Sequence, residues 1–358
     1  MGVLLLVGTR KGLFLVRGDD DRRSFQLEGP LLPGWSINHA IADPRDGSLY
    51  ACANSWVYGG TVHRSTDMGK TWQRSEGLGL PEESGLKLAS TWHLEPGHAS
   101  EPGTLWLGGE PAVLFRSNDH GANWAVNDAV LEHETREKWN PGAGGLITHS
   151  ITLDPENAQR LWIGISAAGV FRTDDGGETW EPANNGTAAG FLPDEYPEVG
   201  QCVHKVLAHP ARPGRLWQQN HCGVYRSDDR GTSWERLDGN GLPSEFGFAL
   251  MLDPRDPDAA YVIPEESSAN RVSVGGRLGV YRTRDGGASW DLLTNGLPDR
   301  AWTGVLREAS AWDGRDPSGL YFGTQTGSLL ASADAGESWV EAARWLPPIL
   351  SIETAEWP

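Results

Sequence analysis

An all-β, seven-bladed β-propeller is the fold this sequence predicts, on three observations. An eight-residue motif recurs six times at near-constant spacing. Each copy sits in the same frame of short apolar strands. The strand missing from the first repeat is found at the opposite end of the chain. The motif also explains an oddity of composition, 17 Trp against 8 Phe and 7 Tyr in 358 residues, because every full copy ends in tryptophan.

The motif is Ser65-Thr-Asp67-Met-Gly69-Lys-Thr71-Trp72, repeated at Ser117 to Trp124, Thr173 to Trp180, Ser227 to Trp234, Thr283 to Trp290 and Ser332 to Trp339. Successive tryptophans lie 52, 56, 54, 56 and 49 residues apart. A degenerate seventh copy stands 47 residues before Trp72, with Asp20 in the aspartate position and Phe25 replacing Trp.

The elements follow in order within each repeat. An apolar run closing on Asp43-Pro44, Glu95-Pro96, Asp154-Pro155, His209-Pro210 or Asp253-Pro254 reads as the innermost strand, A. Leu105-Trp106, Leu161-Trp162, Leu216-Trp217 and Leu320-Tyr321 mark strand B. Val170-Phe171-Arg172, Val224-Tyr225-Arg226 and Val280-Tyr281-Arg282 mark strand C, which enters the motif turn and leaves as strand D. Short strands with turn signals and no helical period read as a four-stranded antiparallel meander. Repetition about an axis gives a propeller, which leaves few exposed edges. The chain begins inside a repeat: residues 3–8 match strand B, 12–16 strand C and 20–25 the turn into D. Strand A is supplied by Ile349 to Ile352 after Pro347-Pro348, so residues 1–358 read as a single propeller domain.

The motif is chemically a turn. An aspartate at this spacing accepts backbone N–H bonds across the hairpin, and the following glycine supplies a positive φ. Aspartates spread around a ring cannot converge on one substrate. Asp67, Asp119, Asp175, Asp229, Asp285 and Asp334 are therefore structural, and the equally periodic Arg64, Arg116, Arg172, Arg226 and Arg282 belong to the blades.

This S-x-D-x-G-x-[ST]-W motif resembles the Asp-box, or BNR repeat, of the sialidase-like propeller superfamily, and the resemblance covers essentially the whole chain. It implies the fold but not one activity, because similar boxes occur in sialidases, xyloglucan-degrading hydrolases, sortilin-type receptors and a photosystem assembly factor. The chain departs from true sialidases: their Arg-Ile-Pro segment is absent, and the corresponding stretch reads Val16-Arg17-Gly18. The resemblance points to a carbohydrate-active, glycoside hydrolase-like protein acting on a neutral sugar or glycoside. The second reading is a non-catalytic scaffold, or a ligand- or protein-binding propeller of the receptor or assembly-factor kind.

Bulk charge narrows the partners. With 30 Lys+Arg against 48 Asp+Glu the net charge is −18, which opposes binding to nucleic acid or an anionic membrane. Three cysteines, Cys52, Cys202 and Cys222, make no disulfide framework, and a soluble, cytoplasmic protein is expected.

Strands that alternate direction put the Asp-boxes and A–B turns at one end of each blade and the D–A and B–C loops at the other. Function is expected at the second end. Three successive D–A loops are long, 73–88, 125–145 and 181–200, and rich in carboxylates, with Lys87, Arg136 and Lys138 their only cations in the stretches beyond residues 75, 127 and 181. Such an acidic rim suits a neutral or cationic ligand. A glycosidase needs two carboxylates about 5–10 Å apart, and Glu110, Glu198 and Glu265 are the candidates, with Glu245 a further carboxylate on these loops. His39, His93, His149 and His204 fall in four successive A strands. They lack the spacing that makes a zinc motif specific, so no metal or cofactor is assigned; His149 and His204 join the acid/base candidates. Trp35, Asn38, His39, Trp56, Trp92, His93, His221, Arg300 and Trp302 are the candidate ligand-binding residues. Nine tryptophans belong to the repeat. Trp35, Trp56, Trp92, Trp139, Trp302, Trp312, Trp345 and Trp357 remain, and the first five map to the loop end or its long loops.

Overall fold

The computed structural model of the chain describes residues 2–357, and the side chain of Trp357 lies outside the described residues. Seven four-stranded antiparallel sheets form the blades of the propeller. Blade 1 joins Ile349–Trp357 to Gly2–Thr9, Gly12–Gly18 and Phe25–Leu31. Blade 2 begins at Ser36–Ala42, blade 3 at Ser90–Pro96 and blade 4 at Thr148–Asp154. Blades 5, 6 and 7 begin at Val203–Ala208, Gly247–Asp253 and Ser310–Trp312. The expected closure is present: the C-terminal strand is antiparallel to the first, with Leu5 opposite Thr354 and Leu6 opposite Glu353.

By contact density the chain divides into two compact units. One runs to Ala42 and resumes at Gln218–Arg226 and from Arg236 onward; the other comprises Asp43–Trp217 and Ser227–Glu235. The first is centred on a cluster including Leu5, Met251, Tyr261, Tyr321, Phe322 and Ile352, the second on Trp106, Leu161, Ile163 and Phe171. Trp139 belongs to this second core. It lies 5.0 Å from the Phe171 ring and donates its indole N–H to Thr135 Oγ1 at 2.9 Å, so it is a packing residue rather than a loop-face aromatic. The 125–145 loop that carries it is partly ordered by a helical turn, Asp128–Leu131, capped by the Asn127 side chain.

The six full motif turns are superposable in chemistry. The first-position hydroxyl donates to the aspartate Oδ1 at 2.7–2.8 Å and accepts the motif glycine's N–H at 2.8–3.0 Å. The backbone N–H four residues after the aspartate reaches Oδ1 at 2.8–2.9 Å. The side chain of that residue donates to Oδ2 at 2.5–2.8 Å. This cradle holds two successive left-handed residues, such as Met68 (φ 61°) and Gly69 (φ 83°). In the degenerate turn the aspartate role falls on Asp19, not Asp20: Asp19 Oδ1 accepts the Arg23 N–H at 3.0 Å, the same four-residue step.

Tryptophans and arginines then join neighbouring blades. The indole N–H groups of Trp234 and Trp290 donate to the carbonyls of Ala183 and Leu237, at 2.8 and 3.0 Å. Arg282 donates to the Ala335 carbonyl and to Glu337, at 3.1 and 2.8 Å. The periodic residues are architecture, as their spacing implies.

Candidate functional site

In blade 6, strand Asp256–Pro264 hands the chain to a long loop that returns at Val280. Glu265 is the first residue of that loop, and its backbone is fixed from both sides. Its N–H donates to the Phe246 carbonyl at 2.9 Å, and it bridges to Ser273, whose own N–H donates to the Thr303 carbonyl at 2.8 Å. The side chain is 1% exposed, and among the described residues neither carboxylate oxygen makes a hydrogen bond of ordinary geometry. It faces Gly304, where any Cβ would collide with Oε1. Burial pushes this carboxyl up to about 7, against the pull of the Arg271 guanidinium and the Val305 backbone N–H.

Around it lies an unusual pairing of cations and rings. Phe246 and Phe248 meet edge to face at 5.2 Å. The Arg271 guanidinium sits 5.6 and 5.5 Å from their centroids, and that of Arg307 sits 5.5 Å from Phe248. His221 packs edge-on against Phe246 at 5.1 Å, and burial together with Arg271 lowers its pKa, against the opposing charge of Glu245. A carboxyl that titrates near neutrality can give or take a proton, and the two guanidiniums can hold oxygen atoms of a ligand.

Three residues of the inner strands also converge in this unit. His39 comes from Ser36–Ala42 and Glu353 from Ile349–Trp357, while Glu308 precedes Ser310–Trp312. His39 Nε2 lies 3.2 Å from Glu353 Oε1 and 3.7 Å from Glu308 Oε2.

In the other unit the candidate side chains are spread over several contacts. His149 is wholly buried, with Nδ1 on the Ser150 hydroxyl at 3.0 Å and Nε2 on the Val203 carbonyl at 2.9 Å. His204 Nε2 lies 3.7 Å from Cys202 Sγ, and His93 Nε2 lies 3.6 Å from Glu95. Glu110 accepts the Ser90 hydroxyl at 3.3 Å, while Glu198 forms a surface ion pair with Lys138 at 3.1 Å. Trp56 is 98% exposed at the tip of a hairpin that also bares Val57 and Tyr58.

The BNR/Asp-box repeat profile matches residues 171–182. Among curated relatives, the xyloglucanase Xgh74A of Acetivibrio thermocellus is 24% identical over 56% of this chain and 26% of its own length. The photosystem II assembly lipoprotein Ycf48 of a Synechococcus species is 26% identical over 83% of this chain and 74% of its own length. The crystal structure of a GH74 xyloglucanase from Xanthomonas campestris superposes with TM-score 0.67 at 19% identity, covering 95% of this chain and 52% of that one. The chain is a seven-bladed Asp-box propeller. It spans only about a quarter of the length of the xyloglucanase Xgh74A.

Within this Asp-box propeller, the structure brings Glu265 and His221 of the sequence candidates into one neighbourhood. His39 meets two carboxylates that sequence reasoning missed. Trp302 is 64% exposed and covers Gly276, while Arg300 is exposed nearby in sequence. Trp35, Asn38 and Trp92 are half-buried, with Asn38 accepting the Ser36 hydroxyl at 3.4 Å. Arg136, counted as a rim cation, turns inward instead and donates to the carbonyls of Pro111, Ala112 and Val130. The residues sequence reasoning missed are Arg271, Arg307, Phe246, Phe248, Glu308 and Glu353. One signal was available: Arg307-Glu308 stands directly before an inner strand and breaks the repeat.

Proposed function

We propose that the propeller acts on a glycoside, with Glu265 as the proton-donating carboxyl and Arg271 and Arg307 holding sugar oxygens. The observation that carries this reading is the buried Glu265 carboxyl, facing Gly304 beside Arg271 and pushed by burial up to about 7. An acid catalyst works best with a pKa near the working pH. The likeness to xyloglucanases supports a sugar ligand. The two guanidiniums make this corner cationic, which widens the expected ligand from neutral sugars to those bearing a carboxylate.

Reducing-sugar release should be measured on xyloglucan oligosaccharides, other neutral glucans and a uronic-acid glycan, with wild type, Glu265→Gln and Arg271→Met. A general acid contributes about 10²–10⁴-fold, so Glu265→Gln should lower kcat by at least ~100-fold with little change in binding. Wild-type activity should fall as pH rises past about 7, where Glu265 loses its proton. No turnover and no binding by wild type across the panel would overturn the proposal. A second reading, a protein-binding propeller, is favoured by the bare Trp56-Val57-Tyr58 tip; turnover unaffected by Glu265→Gln would remove Glu265 from the chemistry.

A further inference from the structure

We infer that a hydroxyl-lined pocket beside Glu265 holds one neutral pyranose ring of a glycan. This rests on the glycoside reading and adds a second sugar position to it. The pocket encloses about 250 Å³ and lies within the compact unit that includes the chain from Arg236 onward. Pockets that enclose drug-sized ligands run from about 300 to 1,000 Å³, so this one admits a single ring rather than a chain. Its polar wall is built from Thr303, Thr324, Thr326, Ser328 and Glu341. The Thr326 hydroxyl donates to that of Thr303 at 3.1 Å and lies 3.0 Å from that of Thr324. Thr324 donates to the Ser328 carbonyl at 3.2 Å, and Ser328 donates to Glu341 Oε1 at 2.9 Å. These bonds use the hydroxyl protons within the wall and leave oxygen lone pairs over, so the wall suits an occupant rich in O–H donors. Leu278, Leu297 and Leu330 supply an aliphatic side on which the C–H face of a ring can rest. Glu341 is the one charged group among the described residues of the lining, so an anionic sugar is disfavoured here. A single carboxylate at an exposed rim also holds an ammonium ion only weakly, whereas four hydroxyl oxygens can meet several sugar hydroxyls at once.

Both walls are fixed by the backbone. The 324–328 turn joins strands Leu320–Gly323 and Leu329–Ser332, and its Thr324 N–H donates to the Ser328 carbonyl at 2.9 Å. Gly327, at φ 89°, packs so closely on the Leu346 carbonyl that no Cβ fits. Gly296, at φ 86°, meets the Trp339 carbonyl in the same way, and the Trp339 N–H donates to the Asn295 carbonyl at 2.9 Å. A pocket held this way loses little conformational entropy on binding. The link to the acid is the chain itself. Thr303 gives its side chain to the pocket and its carbonyl to the N–H of Ser273, the residue bridged to Glu265. The next residue, Gly304, faces Glu265 Oε1, and its carbonyl accepts the Gln325 N–H at 3.0 Å. Only this dipeptide separates the pocket from the proton-donating carboxyl, so the ring it holds is a neighbour of the sugar at Glu265.

Binding of D-glucose, D-xylose and D-galactose to the full chain should be followed by saturation-transfer NMR, with D-glucuronate and n-butylammonium as charged comparisons. At least one neutral sugar should saturate with a Kd of about 1–10 mM, the range open to a polar ligand of this size. D-Glucuronate should bind at least ~10-fold more weakly. Thr326→Val and Glu341→Gln change exposed side chains and should fold as wild type does. Each should weaken sugar binding about 5–10-fold, the effect of losing one hydrogen bond to a hydroxyl or a carboxylate. Absence of a saturable signal from every neutral sugar up to roughly 50 mM would overturn the site. Binding that both variants leave unchanged, or that only Arg271→Met abolishes, would place the sugar elsewhere and overturn it equally. Preference for n-butylammonium over all three sugars would overturn the ligand class. The measurement needs no turnover, so its failure is distinct from failure of the hydrolysis assay: Glu265 keeps its role if oligosaccharides are still cleaved.

Discussion

The aspartate of each motif turn is a small electrostatic device. In Asp175 the Thr179 and Thr173 hydroxyls and the Thr179 N–H all donate to one carboxylate, holding its pKa at about 2. Asp67 is likewise held at about 2, chiefly by Thr71. The folded value lies below the ordinary 3.8, so the stabilisation is complete above the ordinary value and lost as pH falls through about 2. Asp175→Asn keeps an acceptor oxygen but replaces the other with an amide donor, so the Thr179 hydroxyl loses its charged acceptor. We expect a loss of about 1 kcal/mol at pH 7, the size of a lost capping side chain at an exposed turn. Thermal melts from pH 7 to 2 should show the gap between wild type and variant closing below pH 4, in the window set by the two pKa values. A gap independent of pH would assign the role to shape rather than charge.

Between elements, the same residue types act as clasps. Arg22, in a left-handed conformation at φ 56°, belongs to the degenerate turn of blade 1 and reaches the A–B turn of blade 7. Its guanidinium donates to both Asp313 oxygens at 3.1 Å, to the Pro317 carbonyl at 2.9 Å and to the Ala333 carbonyl at 2.9 Å. Asp313 in turn accepts the Gly319 N–H at 2.8 Å and the Tyr321 hydroxyl at 2.9 Å. Arg22→Met would strand a buried carboxylate, and breaking one partner of a buried pair costs about 3–5 kcal/mol. Urea denaturation should report that loss, and adding Asp313→Asn should recover part of it. This clasp was invisible in sequence because the seventh turn carries neither the glycine nor the tryptophan of its six relatives. Where the repeat is regular, reading was straightforward: strand order, closure and the six box aspartates all follow from period alone. Where function depends on which side chains of different blades meet, period is silent. Glu265 was legible as a carboxylate in an outsized loop, but its meeting with Arg271 and with Phe246 and Phe248, at the start of strand Gly247–Asp253, was not, since the conformation of that loop decides where Arg271 lands. Glu198 reads equally well as an acid in sequence and lies in a surface ion pair in the structure.

At the scale of the whole molecule, stability rests on one strand more than on any other. Ile349–Trp357 pairs with the first strand along its length and is stitched to blade 7 as well. Its Ile349 N–H donates to the Thr324 carbonyl at 3.2 Å, and the Thr354 hydroxyl donates to the Trp312 carbonyl at 2.7 Å. Ile349 and Ile352 are completely buried, as are Leu5, Leu6 and Val7 on the strand beside them. Shortening one such isoleucine to alanine costs about 2–5 kcal/mol, against a total folding stability of about 5–15 kcal/mol. Removing the strand discards both isoleucines, a full ladder and the cover of an apolar edge, so the loss exceeds what the remaining fold can absorb. Deletion from Pro347 onward should therefore abolish the single cooperative unfolding transition and bare an edge that invites association between chains. Ile352→Ala is the graded version, expected to keep two-state melting with a midpoint lowered in proportion to a loss of about 2–5 kcal/mol. Tryptophan fluorescence and far-ultraviolet circular dichroism, followed together through urea, distinguish these outcomes. A truncated protein whose two signals still coincide at the wild-type midpoint would show that the blades hold together without the closing strand.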